Sequence, residues 1–338
     1  MSTDGALVPL VHGEWAEVKT VAIGAIQPPV IENGETVIHT TELSYFSRLA
    51  EAETFTRLAT VETHRRGTER AETVCAVNDG AEWIQGFIDV QRHDAVRILD
   101  FSHAAGYVAQ VGQAVLGEGT PEFKTWLDTT LHELKHDSPD KVLQTLRDMQ
   151  HELEGGAASP ETLDHVRTAV QYLEKRRAQM DYARFQTAGY PIGSGSVESG
   201  NKVVVEARLK GAGMHWARPH VNPMVALRDV LCSDRWEQDW PQIATRLRAD
   251  HLKARQQRQR MRWTQRRVVA TASSSPTAIL PARAEASSPE PVKDSPIKHT
   301  ASSRAKQPYR PPANHPWRHS PIGRARFQPS RRSGDAKL

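Results

Sequence analysis

The segments that decide the fold read VCAVNDG at residues 74–80 and AVRILD at residues 95–100, each a short apolar run that ends in an acid. Short apolar runs bounded by turn residues are typical of buried strands. About 20 residues separate Asp79 from Asp100, which leaves room for a crossover and therefore predicts parallel strands. Open α/β sheets bind ligands at the carboxyl ends of their strands, so both acids lie where a site is expected.

The N-terminal residues predict an antiparallel unit. Residues 5–26 read as a β-hairpin that turns at His12-Gly13, and residues 36–41 read as a third strand. Residues 42–66 are predicted to be helical, because apolar residues recur there at helical spacing: Leu43, Phe46, Leu49 and Ala50. Three antiparallel strands, a helix and then parallel strands indicate an α/β fold with a mixed sheet, in the order of an RNase H-like core.

The rest of the chain is predicted to be helical and then disordered. Residues 104–188 read as a helical insertion, with Ser159-Pro160 as one helix start. A helix is predicted at about 197–211, and the Ser-, Pro- and Arg-rich residues beyond about 270 lack apolar periodicity. We therefore divide the chain into four parts: the first part of the core (1–103), the helical insertion (104–188), the second part of the core (189–250) and a basic, largely disordered tail (251–338).

The charge of the chain is divided unevenly. Residues 251–338 hold 19 Lys and Arg against 4 Asp and Glu, whereas residues 1–250 hold 25 against 36. A basic tail on an acidic body predicts a polyanionic partner such as nucleic acid, with a merely solubilising tail as the alternative. No apolar run is long enough for a membrane span, and the two cysteines form no C-x-x-C pair. These features favour a reducing, cytoplasmic location without a membrane partner.

Three acids are candidates for metal ligation. Glu198 stands in the first turn of the predicted helix, within PIGSGSVESGNK at residues 191–202, while Asp79 follows a strand and Asp4 opens the hairpin. Carboxylates that converge from distant segments can hold the two Mg²⁺ ions of phosphoryl transfer. Each acid also has a local explanation: Asp79 as a turn residue, Glu198 as a residue favoured by the helix dipole, and Asp4 as a polar residue near a frayed terminus.

Further polar residues accompany the three acids. Asp100 and His103 form a D-x-x-H element at the end of the second parallel strand, where they support a site or simply cap the strand end. Cations that follow Glu198 are candidates for contact with DNA, although each is singly explained as a solvated surface charge: Lys202, Arg208 and Lys210.

Two other motifs point to different chemistry. His132 and His136 match H-E-x-x-H, which places two imidazoles on one helical face for zinc, but the extended motif with a third His is missing. Residues 195–202 approach a phosphate-binding loop, yet Asn201 separates its Gly from its Lys and no Ser or Thr follows. A zinc peptidase is therefore a distant alternative, and an NTPase is not favoured.

Four ordered segments together resemble the Kra group of bacterial insertion-sequence transposases. They are DG at residues 4–5 with GEWAEVK at 13–19, NDGAEWI at 78–84, ILDFSHA at 98–104, and IGSGSVESGNK at 192–202 with the RLK and GMHW that follow. The third segment also resembles the D-x-x-H element of Mutator-like transposases. The resemblance implies an RNase H-like core and a DDE triad of Asp4, Asp79 and Glu198.

The same resemblance implies cofactors and partners. A DDE transposase uses two Mg²⁺ or Mn²⁺ ions to cleave element ends and join them to target DNA, usually as a homo-oligomer on the nucleoid. Only three residues precede Asp4, so we interpret the chain as an N-terminally truncated copy, with Asp4 near a fraying end. The alternative function is a catalytically inactive remnant that binds DNA.

Overall fold

The structure is a computed structural model that describes residues 1–32, 34–156 and 158–273. This part of the chain is mixed α/β and mostly helical, with small sheets. The fold described below is that of the compact unit Met1–Val269. Within the described ranges, no helix combines the length and the apolar character that crossing a membrane requires.

Seven strands are described: β1 Ser2–Pro9, β2 Trp15–Ile26, β3 Val30–Glu32, β4 Glu35–Val37, β5 Thr40–Arg48, β6 Cys75–Asn78 and β7 Val96–Leu99. The predicted hairpin is confirmed, since β1 and β2 pair antiparallel from Ser2↔Ala22 to Pro9↔Trp15. Its turn lies at His12-Gly13, where both residues have positive φ. The parallel pair is also confirmed, because β6 and β7 run parallel from Cys75↔Val96 to Asn78↔Leu99.

The helices follow in chain order: α1 Ala52–Arg65, α2 Glu82–Arg92, α3 Phe101–Leu116, α4 Pro121–His136, α5 Pro139–Gly155, α6 Pro160–Lys175, α7 Tyr182–Thr187, α8 Gly195–Gly200, α9 Ala207–Leu209, α10 Arg218–Cys232 and α11 Trp236–Ser273. A π-helical segment, Asn201–Glu206, joins α8 to α9. The backbone stays helical across both junctions, so residues 195–209 form one continuous helix with a widened middle turn. The predicted start at Ser159-Pro160 is confirmed, since the Ser159 side chain caps α6.

Backbone hydrogen bonds join the hairpin to the parallel pair. The Met1 nitrogen donates to the Cys75 carbonyl at 2.8 Å, and the Val77 N–H donates to the Met1 carbonyl at 3.0 Å. The Thr3 N–H then donates to Asn78 Oδ1 at 2.5 Å. The start of the chain is therefore bonded both to β2 and to β6, so that the three-stranded sheet β5-β2-β1 and the two-stranded sheet β6-β7 lie side by side. The expectation that Asp4 sits at a fraying end is wrong, because β1 is held by two neighbours.

Apolar side chains cover both faces of this sheet. On one face, Val8 and Val18 pack with buried residues of the continuous 195–209 helix and of α10. On the other face, Val21 and Ala76 pack with Phe55 and other residues of α1 and α2. A third cluster joins β6 and β7 to helices α3, α5 and α6 of the insertion. Helices thus pack on both faces of the strands. The polar residues Asp79 and Asp100 directly follow the carboxyl ends of β6 and β7.

Helix α10 satisfies the open edge of β5. The N–H groups of Tyr45, Ser47 and Leu49 alternate along this edge and donate to Ser233 Oγ, Asp229 Oδ2 and Asn222 Oδ1 at 2.8–3.0 Å. Two of these acceptors lie on α10 and the third, Ser233, caps its C-terminal end, and together they take the place of a neighbouring strand. An unpaired edge is a template for aggregation, so this cover protects the fold.

Two predictions of secondary structure are wrong. Residues 40–48 form strand β5 rather than the start of a helix, and the helix begins only at Ala52. Tyr45 packs on one face of the sheet and Phe46 on the other, which is the alternation of a strand. Residues 251–273, assigned to the disordered tail, continue helix α11. The remainder of the predicted tail, residues 274–338, lies outside the described residues.

The pH dependence of stability tests the role of Asp229. Burial raises the pKa of the Asp229 carboxyl to about 7, despite the opposing Arg48 guanidinium 2.9 Å away. Between pH about 4 and pH about 7 the folded state therefore binds more protons than the unfolded state. The free energy of unfolding should fall as pH rises through this window, by at most about 1.4 kcal/mol per pH unit.

Asp229→Asn removes this titration while retaining the side chain's shape. Urea unfolding at pH 5 and at pH 8 should show a larger loss of stability for the wild-type protein than for this variant. Parallel pH profiles for the two proteins would contradict the assignment.

Candidate metal centre at the edge of the sheet

Asp4 lies on β1, where the antiparallel strands meet the parallel pair. It pairs with Thr20 in the β1–β2 register. Its Oδ1 accepts a hydrogen bond from the Gly5 N–H at 2.7 Å, and its Oδ2 accepts one from Asn201 Nδ2 at 2.8 Å. The carboxylate is thus fixed from its own strand and from the widened turn of the helix that carries Glu198.

Asp79 follows β6 and is held by two sets of contacts. Its Oδ1 accepts a hydrogen bond from the Ala81 N–H at 2.9 Å, which closes a tight turn before α2. Its carbonyl accepts a hydrogen bond from the Tyr172 hydroxyl of α6. Burial raises the pKa of Tyr172 to about 12, so this phenol remains protonated and able to donate at neutral pH.

Arg176 completes a clamp on the same turn. Its guanidinium is buried, stacks on the Tyr172 ring at 3.7 Å and donates to the Gly80 carbonyl through Nε at 3.0 Å. Gly80 has a φ of +78°, and a Cβ at this position would collide with both Arg176 and Tyr172. The sequence reading missed this clamp, because Tyr172 and Arg176 stand some 95 residues from the acid and belong to the helical insertion.

Glu198 lies on α8 with an exposed side chain. Its Oε1 accepts a hydrogen bond from Ser194 Oγ at 3.2 Å, and the Ser194 N–H donates to Asp100 Oδ2 at 2.6 Å. Asp100 also accepts from the His103 N–H at 2.8 Å, which caps α3. Asp100 therefore links the end of β7 to the loop before Glu198, so that its role is to position two elements.

The His103 ring makes no hydrogen bond to any of the three acids. Its imidazole instead lies edge-on to the rings of Tyr107 and Tyr172, with centroids 5.3 and 5.9 Å away. Tyr107 and Tyr172 stack at 4.1 Å. His103 thus belongs to an aromatic group that supports the clamp on Asp79.

Hydrogen bonds link the segments that carry the three predicted acids: Asn201, on the helix of Glu198, donates to Asp4 at 2.8 Å, and Asn78, next to Asp79, accepts from the Thr3 N–H at 2.5 Å. The pKa of the Asp4 carboxyl lies above its usual value because of burial and, further, because of the negative charges of Asp79 and Glu198. The hydrogen bonds from Gly5 and Asn201 oppose this rise.

The donor chemistry of this group fits a hard divalent cation. All three side chains offer carboxylate oxygens, and their mutual repulsion is what a bound cation relieves. Asn201 Oδ1, beside Asp4, is buried and accepts no hydrogen bond. Among residues 1–32, 34–156 and 158–273, no three His, Cys, Asp or Glu side chains stand close enough to hold an ion as they are arranged.

The cations predicted to contact DNA lie on the helix that follows Glu198. All three are exposed: Lys202, Arg208 and Lys210. The Arg208 guanidinium lies 5.6 Å from the Trp216 ring centroid, and Lys210 donates to Glu206 at 2.7 Å. An exposed pair of this kind contributes little energy, so Lys210 can exchange Glu206 for a phosphate.

The H-E-x-x-H residues lie on the insertion, on helix α4. His132 and His136 are exposed, with ring centroids 4.6 Å apart. The two imidazoles share a face, as the motif predicts. Among the described residues, however, they belong to no group of three His, Cys, Asp or Glu side chains that could hold a metal ion.

Comparison with known proteins leaves the family open: no protein-family model matches the chain, and no curated protein is similar to it. The resemblance to Kra-group transposases therefore remains a prediction from the motifs.

The clamp on Asp79 can be tested by metal affinity. Tyr172→Phe removes only the hydroxyl that holds the Asp79 carbonyl. If the three acids bind a divalent cation, this change should weaken Mn²⁺ binding by about 10–100-fold, the usual effect of losing a group that orients a ligand. Mn²⁺ titration followed by electron paramagnetic resonance measures the affinity directly.

Tyr107→Phe is the matched control, because it removes a hydroxyl from the ring that stacks on Tyr172. Its Mn²⁺ affinity should equal that of the wild type. Equal affinities for all three proteins would show that the clamp does not position Asp79.

Proposed function

We propose that the protein is a DDE-type transposase of the Kra group, with an RNase H-like core that cleaves DNA and transfers strands. The order of the elements supports this fold: three antiparallel strands, a helix, then two parallel strands bonded to the first strand. The observation that carries the function is the hydrogen-bonded link between the segments of the three acids: Asn201, on the helix of Glu198, donates to Asp4, and Asn78, next to Asp79, accepts from the Thr3 N–H.

In this proposal the three acids hold two Mg²⁺ or Mn²⁺ ions. When bound, such ions activate the attacking water or 3′-hydroxyl and stabilise the leaving oxygen of the phosphodiester. The protein's own groups set the positions of the ligands. Asn201 and the Gly5 N–H orient Asp4, the Ala81 N–H and Tyr172 orient the turn that carries Asp79, and Ser194 orients Glu198.

The widened turn gives the two helical residues separate tasks. Glu198 precedes the π-helical segment, whereas Asn201 opens it and reaches Asp4. Such turns inside α-helices often mark functional sites, because they shift the direction of side chains that follow. Lys202 and Arg208 are exposed on the same helix and supply positive charge for DNA phosphates, which fixes the substrate without reading its sequence.

Plasmid nicking tests the chemistry. The purified chain should nick supercoiled DNA in Mg²⁺ or Mn²⁺, and EDTA should abolish the reaction. Asp4→Asn, Asp79→Asn and Glu198→Gln should each lower the rate by at least about 100-fold, since loss of a ligand exceeds the effect of losing its supports. Joining of a labelled 3′-hydroxyl end to the plasmid tests strand transfer in the same reaction.

Glu14→Gln serves as the control, because this exposed glutamate lies in the hairpin turn. It should nick at the wild-type rate. A folded wild-type chain that binds DNA but never nicks it would instead support the inactive remnant.

A further inference from the structure

Helix α11 carries a seven-residue repeat. The triplets Arg246-Leu247-Arg248, Lys253-Ala254-Arg255 and Arg260-Met261-Arg262 each place an apolar residue between two cations. Seven residues are close to two turns of an α-helix, so the three triplets face the same side. Their central residues form one apolar line, and the cations form two basic stripes, each turned by about 100° from that line.

The side chains of both stripes are exposed. Every side chain from Thr245 to Gln265 is exposed, apart from the partly buried Ala254. Leu247 and Met261, on the apolar line, are 56% and 60% exposed. The sole acid in this range, Asp250, lies 4.0 Å from Lys253 in a pair that water screens. Of the six cations in the two stripes, only Lys253 has an ion-pair partner within the described part of the chain.

We propose that this surface binds the major groove of B-form DNA, an inference that takes its partner class from the proposed function. The groove admits an α-helix, with base edges on its floor and a phosphate backbone along each wall. The apolar line would face the base edges, including thymine methyl groups, and each basic stripe would face one strand. The three triplets span 16 residue steps, or about 24 Å, the length of helix that lies along a groove.

Other occupants fit the pattern less well. A second copy of the chain, paired along the apolar line, would bring Arg against Arg on both sides. Duplex RNA has a deep, narrow major groove that a helix with side chains does not enter. A surface of anionic lipid would contact the helix along one face only, so it gives no reason for two separate basic stripes on either side of the apolar line.

The two stripes allow a decisive experiment. One triple variant changes Arg246, Lys253 and Arg260 to Gln, and a second changes Arg248, Arg255 and Arg262 to Gln. Binding of the full chain to a random DNA duplex is measured in EDTA at several salt concentrations, so that the result is independent of nicking. Each triple variant should flatten the slope of log K against log[salt] by about 2.7, at about 0.9 for each lost phosphate contact.

Equal effects of the two triples support a helix seated between two strands. An effect of only one triple would overturn the groove geometry, and no effect of either would show a solvated helix. A control that changes three exposed cations of the body, Arg57, Arg70 and Lys124, should leave the slope unchanged. Circular dichroism should confirm that helicity persists, since Gln is a good helix former.

Two further measurements exclude the alternatives. Wild-type protein should protect guanine N7, a major-groove atom, from dimethyl sulfate. Equal binding to duplex RNA, or binding to phosphatidylserine vesicles in place of DNA, would overturn the assignment. If the protein binds DNA through the two stripes but does not nick it, the proposed catalysis would be rejected and the assignment of helix α11 would stand.

Discussion

The structure depends on the hydrogen bonds between β1 and β6. Met1 exchanges backbone bonds with Cys75 and Val77, and the side chain of Asn78 takes the next N–H, that of Thr3. These bonds join an antiparallel hairpin to a parallel pair and thereby place Asp4 beside the end of the strand that carries Asp79. Without them the sheet would fall into two pieces, and the candidate site would lose its shared edge. A buried Asn suits this junction, because its carbonyl oxygen continues the ladder where the backbone of β6 turns away.

Bringing carboxylates together costs free energy, and the surrounding residues show how the fold tolerates it. Burial and like charge both raise the pKa of Asp4, while donors from Gly5 and Asn201 stabilise its ionised form. Asp79 and Glu198 receive donors of their own, from Ala81 and Ser194. Each acid thus has a donor that fixes its direction, while Glu198 stays exposed. If the three acids hold a cation as proposed, the cation would relieve the repulsion between their negative charges.

The sequence predicted the elements that obey simple periodicity. The hairpin, the parallel pair and the capped start of α6 follow from alternation, apolar runs and Ser-Pro, and all three are confirmed. Residues 42–50 misled the prediction because Leu43, Phe46, Leu49 and Ala50 also fit helical spacing, and only packing on both faces of the sheet selects a strand. The supports Asn201, Tyr172 and Arg176 carry no local signal, since their partners are distant in sequence. Such residues become visible only when the chain is folded.

In the proposed function, the distribution of charge separates two tasks within one chain. Residues 1–250 carry a net charge of −11, so the body repels a polyanion beyond the immediate surroundings of Lys202 and Arg208. Salt confines that repulsion to about 8 Å, which makes local cations effective at the site but leaves little attraction at long range. Residues 245–265 of helix α11 supply what the body lacks, namely exposed cations in regular stripes with a single acid, Asp250, among them. Under the proposed function, the acids for chemistry and the cations for DNA would lie on different elements and would therefore not neutralise each other.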